Sequence, residues 1–405
     1  MNILWGMFGI LVVLGIALLL STNRRAIKPR TILVGLAIQI TFAFIVLRWP
    51  LGKAALEQLT FAVSSVIDFA NEGVDFVFGG IFESENVGFI FAFEVLPIII
   101  FFSSLISVLY YIGIMQWVVK LLGGALAKLL GTSQTESLSA AANIFLGQTE
   151  APLVVKPYIS KMTNSELFAV MTGGLASVAG SVLVGYAILG VPLEYLLAAS
   201  FMAAPAALIL AKIMVPETAP QETRQEALTL EKDTESTNVI DAAARGASVG
   251  LQLALNIAAM LIAFIALIAL LNGILGFVGG WFGAGNLTIE YVLGFLFAPL
   301  AFAVGVPWSE AVYAGGFIGQ KLVLNEFVAY LAFAPEIENL TPKTVAIVTF
   351  ALCGFANLSS LGILLGGLGK LAPERRSDIA RMGVRAVAAG MLASLLSASI
   401  AGMLI

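Results

Sequence analysis

Residues 143–152 read NIFLGQTEAP, which sets an amide, a hydroxyl and a carboxylate between apolar runs. Gly147 lets a ligand approach the backbone closely. Gln148 offers two donors and an acceptor, Thr149 a hydroxyl, and Glu150 a pure acceptor. Pro152 keeps a helix from running straight through. That set suits hydrogen bonding to a polar organic solute. A second acidic residue, Glu326, closes the stretch GQKLVLNE, and FANLSS at 355–360 adds Asn357, Ser359 and Ser360 inside an apolar run. The latter three read either as ligand-binding groups or as polar packing between helices. Ser177 and Ser181 in ASVAGSV carry the same two readings more weakly. Gln252 and Asn256 stand one helical turn apart and share a face; bonding between helices is preferred there to lining a cavity. Glu94 and Glu310 read as interfacial or structural carboxylates paired with a neighbour.

Other chemistry is excluded by composition. The chain has no histidine, which removes His-based acid–base catalysis and most zinc sites. Its one cysteine, Cys353, forms no intramolecular disulfide and reads as a small packing residue. A net charge of −4 gives no reason to expect nucleic acid.

The elements that must position these groups are apolar. Of 405 residues, 60% are hydrophobic and 11% charged, against about 25% charged in a soluble domain. The mean hydropathy is +0.99. This predicts an all-α polytopic membrane protein, since a hydrocarbon core of ~30 Å needs ~20 apolar helical residues. Spans are expected at 3–20, 31–48, 87–111, 165–188, 192–213, within 247–280, and at 344–368 and 382–404, about eight in all. The first lacks a basic segment before it and a cleavage site after it, so it reads as a span rather than a signal peptide. Residues 55–80, 115–131 and a short helix in the acidic linker 215–245 read as interfacial, about three such helices.

Two segments fit neither class. Residues 132–161 have apolar arms of roughly ten residues around GQTEAP, and ten helical residues reach only ~15 Å. Residues 290–334 repeat the pattern. Both read as re-entrant hairpins, which hold non-helical backbone at depth only when buried or lining a cavity. A carboxylate at the bilayer centre costs ~2.5–3.5 kcal/mol, so Glu150 and Glu326 in the two hairpins read as functional. Each hairpin is followed by a helix interrupted by small and polar residues, LASVAGSVLVGYA and CGFANLSSLGILLGG. Interruptions at corresponding places in two halves point to a transporter's midplane site. Placing loop 21–30 in the cytoplasm puts 112–131, 215–245 and 370–385 inside as well, with most Lys and Arg. On the outer side lie only Arg48, Lys53 and Lys343, with Lys321 within the second hairpin. Both termini then face outward, to the periplasm in a Gram-negative cell, the hairpins enter from opposite sides, and the repeats are inverted. The expected divisions are 1–131 for scaffold spans and interfacial helices and 132–213 for the first transport repeat. Residues 214–289 make an acidic linker and long scaffold helix, and 290–405 the second transport repeat.

NIFLGQTEAPLVVKPYI, GGLASVAGSVLVGYAILGV, LNEFVAYLAF and CGFANLSSLGIL together resemble the concentrative nucleoside transporter family, over about residues 1–405. The resemblance implies eight spans, two re-entrant hairpins, three interfacial helices and a homotrimer in the cytoplasmic membrane. Each protomer would carry one nucleoside, such as uridine, by elevator-like alternating access against a fixed scaffold. By motif, Gln148, Thr149 and Glu150 would bond the base, with Gly147 and Val182 packed near it. Glu326, Asn357 and Ser360 would hold the ribose hydroxyls. Phe355 would form an apolar wall, with Leu253 or a neighbour on its helix as another. The family's sodium site falls on the side chains of Asn143 and Ser177 and the carbonyls of Leu146 and Val178. An all-oxygen set suits a hard cation. Proton coupling is the alternative, and a passive channel, an intramembrane acid–base enzyme and a non-transporting regulatory relative are the rivals from other classes.

Overall fold

The structure, a computed structural model, describes residues 2–82, 89–221, 236–281, 283 and 285–405. All described regular elements are helices. The first six are α1 (Asn2–Leu19), α2 (Pro29–Leu47), α3 (Pro50–Phe82), α4 (Phe91–Glu94), α5 (Leu96–Tyr111) and α6 (Ile114–Leu130). Next come α7 (Gln134–Ala142), a 3₁₀ helix (Ala151–Lys161), α8 (Asn164–Ala176), α9 (Gly180–Ile188) and α10 (Leu193–Met214). The chain continues with α11 (Val239–Gly280), α12 (Ile289–Ala303), α13 (Trp308–Val323) and α14 (Glu326–Phe333). It ends with α15 (Pro342–Leu352), α16 (Ser360–Leu371) and α17 (Arg376–Leu404). The expected linker residues 222–235, with the short interfacial helix placed in that linker, lie outside the described residues.

Among the described residues, seven helices are long and apolar enough to cross a membrane, or up to eight when a bent pair is included. The span expected at 344–368 is two short helices, α15 and α16, separated at 353–359. The cause is local. Gly354 has φ +156°, and a Cβ there would lie 2.8 Å from Ser394 Oγ and 2.9 Å from the Ala176 carbonyl oxygen. The span at 165–188 is likewise broken between α8 and α9, where Ser177 is extended (φ −117°, ψ 171°). The region 290–334, read as two arms, forms three helices. α12 and α13 meet at a 116° bend, where Gly305 takes φ +116° and Pro307 starts the next helix. The chain breaks again at Leu324 and Asn325 before α14.

Capping explains where the helices start. Ser133 with Glu136 and Thr163 with Glu166 form complete capping boxes for α7 and α8, each satisfying two otherwise orphaned N–H groups. Pro152 and Pro157 remove N–H donors from 151–161, and that segment winds as a 3₁₀ helix. α11 runs 42 residues, about 63 Å and twice the thickness of a hydrocarbon core.

Burial separates an inside from an outside. The most apolar windows of the α8–α9, α10 and α17 spans are 94%, 89% and 89% buried, against 28% for α1 and α2 and 11% for α11. α17 packs on α1, α8, α10, α15 and α16, while α11 lies along α5. The polar motifs therefore sit in the densely packed body, and the lipid-like surfaces belong to other helices.

Candidate functional site

Three backbone bonds stitch the breaks together. Gly180 N–H donates to the Phe145 carbonyl at 3.0 Å, Phe355 N–H to the Ser177 carbonyl at 3.1 Å, and Leu358 N–H to the Leu322 carbonyl at 3.1 Å. α9, α14 and α16 all begin at these breaks. Their first turns carry N–H groups without helical partners and the positive end of each dipole. Glu326 is the first residue of α14, after Asn325, whose side chain caps the helix by accepting from Val328 N–H at 2.8 Å. The helix N-terminus favours a carboxylate there.

A chain of hydrogen bonds then crosses the body. Asn357 Nδ2 donates to Glu326 Oε2 at 3.0 Å, and Tyr186 OH to Glu326 Oε1 at 3.3 Å. Asn357 Oδ1 accepts from Ser360 N–H at 2.8 Å and from Ser359 Oγ at 2.7 Å. Gln148 Nε2 reaches Ser360 Oγ at 3.4 Å, and Gln148 Oε1 is buried with no hydrogen-bond partner. The amide is the loosest link, with one weak bond and one open acceptor, so a solute that supplies a donor and acceptor can replace it at little cost. Glu150 Oε2 accepts from Gly147 N–H at 2.7 Å and so folds back on its own loop. Thr149 packs against α16, where a Cβ on Gly367 would lie 2.7 Å from Thr149 Cγ2.

Asn143 and Ser177 meet around one turn of α8. Ser177 Oγ donates to the Gly173 carbonyl at 3.0 Å, and a Cβ on Gly173 would lie 3.2 Å from Asn143 Nδ2. Asn143 Nδ2 donates to the Ser139 carbonyl at 2.8 Å. Asn143 Oδ1 and Ser139 Oγ are buried without partners. Buried polar atoms are almost always satisfied, so two orphan oxygens in one place call for an absent donor or cation. Oxygen ligands with no carboxylate among them fit a monovalent hard ion. Leu146 and Val178 are buried beside them in sequence.

The remaining expected residues divide. Val182 is buried in the first turn of α9, and Phe355 lies half-buried in the α15–α16 break. Leu253 is half-buried on α11, packed against the core. Gln252 Nε2 donates to Asn256 Oδ1 at 3.1 Å on an exposed face of the same helix, so this pair neither lines a cavity nor joins two helices here. Glu94 accepts from Ile90 N–H at 2.7 Å and caps its own helix, whereas Glu310 on α13 accepts from Thr341 N–H and Oγ1 at 3.2 and 2.9 Å and so caps the start of α15. Sequence reasoning missed Tyr186. The available signal was a phenol in an apolar helix, which must find a partner when buried.

Comparison with known proteins decides the family. Residues 195–402 match the model for the Na+ dependent nucleoside transporter C-terminus, residues 8–81 its N-terminus, and residues 92–193 a nucleoside recognition region. The uncharacterized transporter YutK of Bacillus subtilis is 56% identical over 405 residues, covering 100% of both chains. The chain belongs to the Na+ dependent nucleoside transporter family. Family membership makes it a transporter rather than an enzyme, and the family is named for its dependence on sodium, which supports sodium as the coupling ion. The nucleoside permease NupC of Helicobacter pylori is 49% identical over 99% of this chain and 98% of its own. Solved structures of CNTnw in an inward-facing substrate-bound state and, as a substituted variant, in an outward-facing state superpose with TM-scores of 0.94 and 0.96. Both are 55% identical and cover 100% of this chain and 98% of theirs.

The tip of the first polar loop is tightly seated. A Cβ on Gly174 would lie 2.9 Å from Gln148 Cβ and 3.2 Å from its Cα. Gly174→Ala is expected to displace Gln148 and to destabilise the protein by about 1–3 kcal/mol, the usual cost of overpacking. A thermal midpoint in detergent that matches wild type would show that the loop yields freely.

Proposed function

We infer that the protein is a symporter that moves nucleosides across the membrane coupled to sodium, by alternating access. The observation that carries this is the chain Gln148–Ser360–Asn357–Glu326, which joins two helix breaks more than two hundred residues apart in sequence and leaves one amide loosely held. Relatives of this chain named as nucleoside permeases, and a solved relative seen facing both ways, support it.

In this reading Gln148, Thr149 and Glu150 bond the base, with Gly147 and Val182 beside it. Glu326, Asn357 and Ser360 take the ribose hydroxyls, and Phe355 and Leu253 supply apolar walls. Sodium takes Asn143 Oδ1, Ser177 Oγ and the carbonyls of Leu146 and Val178. Binding there would order the first loop and raise nucleoside affinity, and by linkage the nucleoside raises sodium affinity equally. One sodium moving inward gains ~2.3 kcal/mol per 100 mV, enough for ~50-fold accumulation.

The same proposal extends to architecture. The pair α7 with the 3₁₀ helix and the segment 290–334 serve as two re-entrant hairpins in inverted repeats, each followed by a broken helix and a long one. The buried body from 132–213 and 290–405 moves elevator-like against a scaffold built from 1–131 and 214–289. α3 and α6 lie in the interface. Three copies assemble through scaffold surfaces of the kind left open along α11, and both termini face outward from the cytoplasmic membrane.

The test is uptake of radiolabelled uridine into proteoliposomes with and without an inward sodium gradient. Sodium-driven accumulation is expected. Asn143→Ala is expected to raise the sodium concentration for half-maximal uptake at least about tenfold, from loss of one charge-assisted ligand. Uptake that follows a proton gradient and ignores sodium would overturn the ion assignment, and absence of uptake of every nucleoside would overturn the function.

A further inference from the structure

Lys321 is fully buried in α13 and none of its bonds is to a carboxylate. Among the described residues no acidic group lies within ion-pair distance of it. Its Nζ donates to the Ala351 carbonyl at 2.7 Å and to Ser394 Oγ at 3.0 Å. Ser394 Oγ in turn donates to the Cys353 carbonyl at 3.2 Å. Ala351 and Cys353 flank the end of α15, where carbonyls lose their helical partners and the dipole is negative. The ammonium is thus solvated by a helix C-terminus and a hydroxyl, as a bound metal cation would be.

Two backbone bonds give the register between the halves. Phe145 accepts from Gly180 N–H, and Leu322 from Leu358 N–H, each pairing the segment before a tip with the break that follows it. Aligning Phe145 with Leu322 sets Asn143 against Gln320 and Ile144 against Lys321. A serine on the long closing helix serves each: Ser200 Oγ of α10 donates to the Ile144 carbonyl at 2.8 Å, and Ser394 Oγ of α17 accepts from Lys321. The halves differ in their buried oxygens. The first leaves Ser139 Oγ, Asn143 Oδ1 and Gln148 Oε1 buried and unpartnered, and no described side-chain atom of residues 308–404 is in that state.

We propose that Lys321 is a positioning residue, a tethered cation that does for the second half what sodium does for the first. It rests on the sodium reading given above. The ammonium pins the α15 end, and the α15–α16 break carries Phe355, Asn357 and Ser360; the second half of the binding site is thereby held ready without a mobile ion. The second half needs no second sodium because its cation is part of the chain.

The test is nucleoside binding by full-length protein in detergent, at saturating sodium, for Lys321→Ala and Lys321→Met. Both are expected to weaken uridine binding about 10–100-fold, the loss expected for charge-assisted hydrogen bonds to the break. Propylammonium, which replaces the atoms missing from Lys321→Ala, is expected to restore affinity or, if that variant is recovered unfolded, its folding. Isosteric 1-propanol is expected to do neither, a distinction that a purely space-filling role would not produce. Wild-type affinity in Lys321→Met, or rescue by 1-propanol as good as by propylammonium, or rescue by neither, overturns the proposal. Asn143→Ala run in parallel separates the two readings: if it keeps wild-type sodium dependence, the first-half sodium site is wrong. If it loses that dependence while propylammonium fails, only the tethered cation is wrong.

Discussion

Glu326→Ala is expected to weaken uridine binding about 30- to 4000-fold and to abolish measurable uptake. The carboxylate is 6% exposed and holds Asn357 at 3.0 Å and Tyr186 at 3.3 Å. Its removal deletes the acceptor proposed for the ribose and strands both partners. Hydrogen bonds to a charged group are worth about 1.5–3 kcal/mol each, so losing such an acceptor costs about 2–5 kcal/mol, and 1.4 kcal/mol is tenfold. Isothermal titration with uridine and with a nucleoside lacking ribose hydroxyls separates two causes. If Glu326 acts on the ribose, the variant loses its preference for uridine over the dideoxy analogue. An unchanged preference at lower affinity would place Glu326 away from the sugar.

Lys212→Met is expected to lower stability by about 3–5 kcal/mol without any contact to the nucleoside site. Lys212 Nζ pairs with Glu136 Oε2 at 2.5 Å and, more distantly, with Glu217 Oε2 at 3.8 Å, and it donates to Ser165 Oγ at 2.9 Å. Glu136 is fully buried, and its other oxygen caps Ser133 N–H at 2.7 Å. The pair thus ties the end of α10 to the start of α7. Breaking such a pair leaves an uncompensated buried charge, whereas removing both charges is far less costly. Lys212→Met combined with Glu136→Gln is therefore expected to recover most of the loss. Thermal unfolding of the single and double variants checks this. A double variant no more stable than Lys212→Met would mean that the cost is packing rather than charge.

Most helices were legible because each reports itself locally. An apolar run of eighteen or more residues has few alternatives to a membrane helix, and Ser133, Thr163 and Thr341 announce their helix starts. The breaks were harder. Residues 344–368 have span-like hydropathy, and only the approach of Ser394 and Ala176 to Gly354 divides them. At 290–334 the apolar arms are visible in the sequence, but hydropathy cannot count turns, and the bend at Gly305 divides one arm into two helices. Gln252 and Asn256 show the same limit: i and i+4 on one helix share a face whether that face looks at a neighbour or outward.

By itself the sequence determined an all-helical membrane protein, polar interruptions in its apolar runs, and a family resemblance that the comparisons bear out. These follow from local quantities, namely residue type, spacing and hydropathy. Only the tertiary structure decided which polar atoms meet. It set Gln148 against Ser360 and Tyr186 against Glu326, left Asn143 Oδ1 without a partner, and turned Lys321 onto the end of α15. Those pairings depend on where distant helix breaks cross. Two residues a hundred or two hundred positions apart carry no signal of contact until packing brings their backbones together.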